Sequence, residues 1–416
     1  MNSLLVALLV IVVIAAVAGG AWLWMKHRYI QSIEARGWTW VESPDIGTTV
    51  GLNNAPFGVG FSRQVDDQVL GRGPAGVAFQ AFRYTCDAYR SAGYVLTMKL
   101  PRSLPTVAAF HPERPRGGVS GSQVASTPLS VVAHRTEFGQ EFASIILPAV
   151  PTLLNSQHHP MVVDVGVDHD QLVMLHVPRE PADLALAVAW LEGVHQSLIS
   201  SRAMAFEGAP PPAHLSFQDR DHWVYRPRDD SMLNHVNHTG GGFDHCAQDV
   251  IISDNQGLPF IRLTHTWKTR HTRTDSKGNT TSYTKNHSEE IAEFRTTFPF
   301  RQMSVNWGML KGFGGNKVEF ESAAFNQMFK VRCPVPRFAS DVFHPRQLEY
   351  FLRSGPLGFS IEADGVIRVE GGNWSPAQLD RTSEFFHGFF SRVPDFTWQE
   401  LGAWPRPIAE IENYSA

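Results

Sequence analysis

The sequence has little cysteine and little charge, and both shortages limit what the protein can be. Its three cysteines, Cys86, Cys246 and Cys333, form no C-x-x-C pair, which argues against a disulfide framework and suits a reducing compartment. Charged residues make up 18% of the chain, below the roughly 25% of an average globular domain. Lysine and arginine number 36 against 40 aspartate and glutamate, giving a net charge of -4. These values exclude a strongly basic nucleic-acid-binding protein and a highly charged disordered chain.

Common catalytic motifs are also missing. The sequence contains no H-E-x-x-H, no G-x-S-x-G and no G-x-x-x-x-G-K-[ST] pattern. A catalytic triad assembled from distant positions is recognised by its geometry, so the sequence leaves that possibility open. The sequence motifs therefore identify no catalytic residues, which stay unknown, and they favour a non-enzymatic protein.

One glycine-rich segment matches a cofactor motif in form alone. Gly71–Gly76 fits G-x-G-x-x-G, but a dinucleotide site needs a helix to begin at the end of that motif. Here the following residues, Val77–Tyr84, are typical of a strand, and Pro74 favours a turn. We predict a hairpin turn and no bound cofactor.

The densest group of possible metal ligands is His235, His238, His245 and Cys246. Their spacing matches no common zinc pattern, and neighbouring residues such as His245 and Cys246 point to opposite sides of a strand. Asp164, Asp168 and Asp170 do not form an EF-hand loop, because Leu172 stands where an oxygen ligand is needed. His158-His159-Pro160 is interpreted as a loop before a strand. We predict no metal site.

One long apolar run begins near the N-terminus. Leu4–Met25 contains 22 residues without a charge. As a helix rising about 1.5 Å per residue it would reach roughly 33 Å, enough to cross a hydrocarbon core of about 30 Å. A cleaved signal peptide fits less well, because its apolar stretch is shorter and Met1-Asn2-Ser3 carries no basic side chain. We predict that residues 1–28 form a retained transmembrane anchor.

The basic residues around this run predict its orientation. Lys26, Arg28 and Arg36 follow it, and no lysine or arginine precedes it. The positive-inside rule then places the C-terminal body in the cytoplasm. We predict a single-pass protein of the cell membrane with a cytoplasmic body; the alternative is an extracytoplasmic envelope protein.

The rest of the chain contains an internal repeat. Pro181-Ala182-Asp183-Leu184 recurs 195 positions later as Pro376-Ala377-Gln378-Leu379, and Phe142-Ala143-Ser144 recurs 196 positions later as Phe338-Ala339-Ser340. Gly76-x-x-Phe79 likewise corresponds to Gly257-x-x-Phe260. Because the matches keep their order while their offsets drift, we infer a duplicated unit with loop insertions.

The repeat predicts the domain organisation. The first copy is expected at residues 36–201 and the second at residues 219–394. Pro210-Pro211-Pro212 favours a stiff, Pro-rich linker over residues 202–218, and residues 395–416 are predicted to be a C-terminal tail.

Each copy is expected to begin with strands and to end with a helix. Val77–Tyr84 and Tyr94–Leu100 are β-branched and aromatic, while Asp168-His169-Asp170 and Asp364-Gly365 are typical hairpin turns. The apolar residues of the closing helices repeat every three to four positions. They are Leu184, Ala187, Val188, Leu191, Val194 and Leu198, then Leu379, Thr382, Phe386, Phe389, Phe390 and Val393. We predict an α+β protein: an N-terminal transmembrane helix followed by two tandem related modules, each a mainly antiparallel sheet closed by a C-terminal helix.

Two segments look less regular. Pro101–Pro128 is rich in proline, glycine and serine and is predicted to be a long loop. Lys268–Glu290 is polar and partly basic; a solvated hairpin is favoured over a surface attracted to anionic lipid.

The chain resembles a family of uncharacterised, single-pass membrane proteins found in actinobacteria. The resemblance rests on the apolar N-terminus, Arg36-Gly37-Trp38, Pro56-Phe57, Gly76-x-x-Phe79-x-x-Phe82-x-Tyr84, Phe338-Ala339 and the closing helix. It covers most of the chain, although the second copy has His265 where Tyr84 would fall. It implies architecture and location, and it carries no site residues with it.

These observations together predict a membrane-tethered, non-enzymatic binding or scaffold protein. Its expected partners are the membrane and an unknown protein or lipid, with no nucleic acid. The alternative is a membrane-bound hydrolase or metal-dependent enzyme of unrecognised type. Convergent buried polar groups in one deep pocket would favour that alternative.

Overall fold

The chain divides into two compact units, Met1–Asp221 and His222–Ala416. A computed structural model describes residues 2–89, 93–113, 116, 120–155, 163–274, 280–307, 316–355, 357–371 and 373–409. His158-His159-Pro160 lies outside the described residues. All three cysteines are unpaired, as the sequence predicts.

The first unit contains three α-helices and nine strands within these residues. In chain order they are α1 (Asn2–Glu34), β1 (Thr39–Val41), β2 (Gln64–Arg72), β3 (Ala78–Thr85), β4 (Tyr94–Lys99), β5 (Val107–Phe110), β6 (Ser122–Ala125), β7 (Ser130–Ala133), α2 (Thr136–Asn155), β8 (Asp164–Asp168), β9 (Gln171–Val177) and α3 (Pro181–Ser200). The strands form one antiparallel sheet in the order β1-β2-β3-β4-β9-β8-β5-β7-β6.

The second unit contains nine strands and five α-helices in its described part. They are β10 (Val224–Arg228), β11 (Phe243–Ser253), β12 (Phe260–Thr274), β13 (Thr280–Arg295), β14 (Met303–Trp307), β15 (Asn316–Val318), α4 (Ala323–Met328), β16 (Phe329–Cys333), α5 (Pro336–Val342), α6 (Pro345–Ser354), β17 (Phe359–Ile361), β18 (Val366–Val369), α7 (Pro376–Ser391) and α8 (Asp395–Glu400). The sheet order is β10-β11-β12-β13-β18-β17-β14-β16-β15, again antiparallel throughout.

The two sheets have the same strand order, position for position. An identical order of nine strands is the arrangement expected of a duplicated unit. The prediction of two antiparallel, sheet-based modules with a closing helix is confirmed.

The prediction of an N-terminal transmembrane helix is wrong. A membrane-crossing helix needs about 20 predominantly apolar residues. Across the part of the chain that the structure describes, no helix has both the length and the apolarity to cross a membrane. Helix α1 continues past the apolar run through Lys26 to Glu34, and its last turns pack onto the first unit, where Ile33 is fully buried. The membrane, transmembrane and single-pass descriptions are therefore not supported.

The closing helices bury the predicted faces. All six positions of the stripe on α3 are buried, and so are the five residues of the second stripe that lie on α7. In the second unit this core is built from aromatic rings: Phe386 packs on Phe294, and Phe390 packs on Phe298. The segment predicted as a tail contributes α8, whose Trp398 is fully buried.

The prediction of one long loop across Pro101–Pro128 is wrong in part. Val107–Phe110 forms β5, a fully buried strand between β8 and β7, and Ser122–Ala125 forms β6. Strand β5 was missed because it is only four residues long and is flanked by Pro105 and Pro112.

Both predicted hairpins are confirmed. Strands β8 and β9 turn at His169, and β17 and β18 turn at Gly365, which has a φ of 82° that favours glycine. Lys268–Glu290 is also a hairpin: β12 and β13 pair continuously from Phe260–Phe294 to Thr274–Thr280.

Candidate metal centre

Three histidines of the second unit converge on the sheet face that looks away from α7. They are His238, His245 and His265, and their candidate ligand nitrogens all lie within 4.8 Å of one another. Histidines bound to one tetrahedral zinc ion place their nitrogens about 3.3 Å apart, so shifts of about 1.5 Å at most would bring them into range.

Within this cluster, the ring of His265 is held in place by burial and by its neighbours. It is fully buried on β12, directly opposite Ala247 on β11 and Glu289 on β13. Its Nδ1 lies 2.8 Å from Oε1 of Glu289. Because a carboxylate only accepts, Nδ1–H donates, and in the neutral ring Nε2 keeps its lone pair. The indole of Trp267 stacks on the ring at 4.7 Å and limits its rotation.

His245 reaches the same face through strand periodicity and a bulge. It precedes Ala247 by two residues, so both side chains lie on the His265 side of the sheet. The pairing of β11 with β12 is irregular between Phe243 and Cys246, and Asp244 has a φ of 59°. A bulge of this kind re-aims the neighbouring side chain.

His238 comes from the segment that precedes β11. Val236 anchors this segment in a small apolar cluster with Ala247, Val250 and Leu263. The ring of His238 lies 4.5 Å from that of His265, and its Nδ1 lies 3.2 Å from the carbonyl of Thr239. Since Nδ1–H donates to that carbonyl, Nε2 is left to bind a metal ion.

Two nitrogens of the cluster face each other directly. Nδ1 of His245 lies 2.9 Å from Nε2 of His265. Two lone pairs cannot approach so closely, so either a proton or a cation must lie between them. A zinc ion would separate the two nitrogens by about 0.4 Å more than the hydrogen bond does.

Glu289 acts as an orienting carboxylate. It accepts hydrogen bonds from His265, from the backbone N–H of Thr239 and from the hydroxyl of Thr239. Burial raises the pKa of Glu289, but the hydrogen bonds from His265 and Thr239 lower it more, and the pKa lies below its usual value. The carboxylate is therefore charged near neutral pH, as the second-shell partner of a metal-bound histidine should be.

The sequence located only part of this cluster. His238 and His245 belong to it, whereas His235 does not: its carbonyl accepts from Arg295. Cys246 points elsewhere, and its sulfur accepts from Arg228. His265 and Glu289 were missed as candidates; the usable signal was the replacement of Tyr84 by His265 between the copies.

The glycine-rich turn carries a different set of contacts. Residues 73–77 connect β2 to β3 as predicted, and the Glu192 carboxylate accepts from the backbone N–H groups of Ala75 and Val77. The Glu192 side chain thus satisfies two backbone N–H groups of this turn.

The acidic residues of the first unit hold loops in place. Asp168 is buried and accepts from the backbone N–H groups of Asn53 and Asn54. Asp164 pairs with Arg116, and burial raises its pKa. These contacts account for both carboxylates structurally.

No family model and no curated protein matches this chain. Among solved structures, it is similar to the crystal structure of the mycobacterial trehalose monomycolate transport factor A, TtfA, with a TM-score of 0.33 and 12% identity. The similarity covers 44% of this chain and 96% of that one. A TM-score this low carries no argument about fold or function, so the interpretation rests on the geometry of the site. The resemblance to an actinobacterial family stays a prediction.

Proposed function

We propose that this protein is a non-enzymatic binding protein whose second unit binds a zinc ion through His238, His245 and His265. The convergence of three imidazole rings, with two nitrogens 2.9 Å apart, is the observation that supports it. Imidazole nitrogen is a common ligand of zinc. A carboxylate that accepts a hydrogen bond from the other ring nitrogen of a histidine ligand is its usual second-shell partner.

The surroundings favour binding over catalysis. Glu289, the carboxylate that contacts the cluster, is already engaged by three donors. A general base must be able to reach the proton it abstracts, and a carboxylate held in this way serves to orient His265 instead.

A metal-dependent enzyme is the second candidate. Three histidine ligands leave one position of a tetrahedral zinc ion open, which is the ligand number of many catalytic zinc sites. Zinc-dependent hydrolysis of an activated ester, lost in His265→Ala, would favour this candidate over a binding role.

Isothermal titration of the full-length protein, stripped with a chelator, with zinc chloride tests the proposal. We expect one zinc ion per chain and a loss of affinity of about 100-fold or more in His245→Ala and His265→Ala, because each removes a ligand. His235→Ala is the matched control: it lies in the same region, outside the cluster, and should bind zinc like the natural protein.

Two results would contradict the zinc proposal. The first is the absence of saturable binding by the natural protein. The second is equal loss of affinity in His235→Ala and His265→Ala, which would indicate scattered surface histidines. The protein partner and the cellular location of the chain stay predictions.

A further inference from the structure

A second site lies in the same unit, in the cleft between α6 and α7. The cleft has a volume of about 530 Å³, which falls within the range of roughly 300–1,000 Å³ typical of small-molecule sites. Its lining residues are Arg346, Glu349, Tyr350, Arg353, Ser354, Arg381, Glu384, Phe385 and Arg392. Four arginines against two glutamates give the cleft an excess of positive charge.

The arginines approach the cleft from both helices. Arg346 and Arg353 are seven residues apart on α6, so they lie on one face two turns apart, while Arg381 lies on α7. Arg392 follows α7, and its guanidinium stacks over the ring of Tyr350 at 4.1 Å. This stacking and a hydrogen bond from Nη1 to the carbonyl of Gly388 hold the guanidinium group in place.

Two of these arginines, Arg353 and Arg381, make weak contacts with neighbouring side chains. Arg353 lies 3.9 Å from Glu349, and both side chains are largely exposed. Arg381 donates to the neutral amide of Gln378. Exposed pairs of this kind contribute little stability, so these guanidinium groups remain able to bind another anion.

The floor of the cleft is apolar and aromatic. Tyr350 stacks on Phe385 at 5.6 Å, and its hydroxyl donates to the carbonyl of Phe385. A smaller cavity of about 180 Å³ shares Ser354, Arg381 and Phe385 with the cleft and adds Leu357. The two cavities therefore lie next to each other along the same pair of helices.

We propose that this cleft binds a small amphipathic anion, a phosphate monoester joined to an apolar chain. The phosphate would lie among Arg346, Arg353 and Arg381, and the apolar chain would lie along Phe385 and Leu357. The shared chemistry fits a soluble alkyl phosphate and a phosphate-bearing lipid headgroup alike. The site is separate from the histidine cluster and does not depend on zinc.

Titration calorimetry of the full-length protein with three probes tests this assignment. They are octyl phosphate below its micellar concentration, inorganic phosphate and the neutral detergent octyl glucoside. We expect saturable binding of octyl phosphate, about tenfold or more tighter than that of inorganic phosphate, and no saturable binding of octyl glucoside. Similar affinities for octyl phosphate and either of the other probes would overturn the proposal.

Substitutions of the cleft arginines test whether octyl phosphate binds in the cleft. The double substitution Arg346→Gln and Arg381→Gln should weaken octyl phosphate binding about tenfold or more, because two charge-assisted contacts are lost. Both side chains are exposed, and circular dichroism verifies that the variant is folded. Arg337→Gln, an exposed position on α5 outside the cleft, is the control and should bind like the natural protein. Unchanged binding in the double variant would contradict the assignment.

Sedimentation with vesicles separates the two sources of the ligand. The natural protein is compared with the double variant on phosphatidylcholine vesicles that contain phosphatidic acid. Vesicle binding by the natural protein that is lost in the double variant would support the cleft as the binding site and identify a lipid headgroup as the source of the phosphate. Octyl phosphate binding without vesicle binding would support it with a soluble source. Vesicle binding that survives the double variant, together with no octyl phosphate binding, would overturn it.

Discussion

His265 and Tyr84 occupy equivalent positions, five residues after Phe260 and Phe79. In the first unit Tyr84 donates to the carbonyl of Phe57 and is part of an apolar cluster. In the second unit His265 occupies the corresponding position and meets two further histidines and Glu289. The change from Tyr84 to His265 is thus one of the differences between the apolar cluster of the first unit and the histidine cluster of the second.

Glu289→Gln is expected to weaken zinc binding by about 10- to 100-fold without abolishing it. The neutral amide no longer stabilises the Nδ1–H of His265, so the opposite nitrogen becomes a poorer ligand. Zinc titration of the purified variant measures the effect. Glu321→Gln, at an exposed position, is the control; equal affinities of the two variants would contradict an orienting role for Glu289.

At the scale of elements, the closing helices show how the copies diverged. Gly193 on α3 and Gly388 on α7 are equivalent positions, 195 residues apart. A β-carbon at Gly193 would meet nothing within 4 Å, whereas one at Gly388 would lie 2.6 Å from Cζ of Tyr350. The glycine of α7 therefore allows Tyr350 of α6 to cross the helix and form the floor of the arginine cleft.

Gly388→Ala should lower the free energy of unfolding by about 1–3 kcal/mol, because the added methyl group displaces the ring of Tyr350 and disturbs the hydrogen bond from its hydroxyl to the carbonyl of Phe385. Gly193→Ala is the matched substitution and should raise stability by about 0.5–1 kcal/mol, since alanine is the better residue in an open helix interior. Urea unfolding of both variants measures the difference. Equal effects of the same sign would show that Tyr350 does not depend on Gly388.

At the scale of the whole molecule, the two units share one strand order but differ in the length of one hairpin. Strands β3 and β4 pair over Phe79–Met98 to Arg83–Tyr94, whereas β12 and β13 pair over 15 positions. The longer strands supply Trp267 and Glu289, both of which contact His265. The zinc proposal therefore concerns the second unit alone.

Zinc should slow backbone hydrogen exchange in β11, β12, β13 and the segment around His238, because a ligand that binds the folded state suppresses local opening there. Peptides from α2 and α3 of the first unit should exchange at the same rate with and without zinc. Mass spectrometry of the full-length protein measures both. His265→Ala should remove the zinc effect, and protection spread evenly over both units would contradict a single site.

The sequence by itself determined the repeat, the hairpin turns and the buried faces of the closing helices. The turns and the helix faces depend on neighbouring residues: side chains three or four apart share a helix face, and Asp364-Gly365 between two short apolar runs is a strong hairpin signal. The apolar run Leu4–Met25 has the same local character, yet the prediction of a span from it was wrong.

Only the tertiary structure decided where His238, His245, His265 and Glu289 meet. These residues extend over three strands and a loop, and their approach depends on the register between strands and on a bulge at Asp244. Register is a property of two paired strands. The spacing of residues within one strand therefore does not show which residue of the other strand lies opposite. For the same reason the arginine cleft, formed by side chains on two packed helices, could not be predicted from either helix alone.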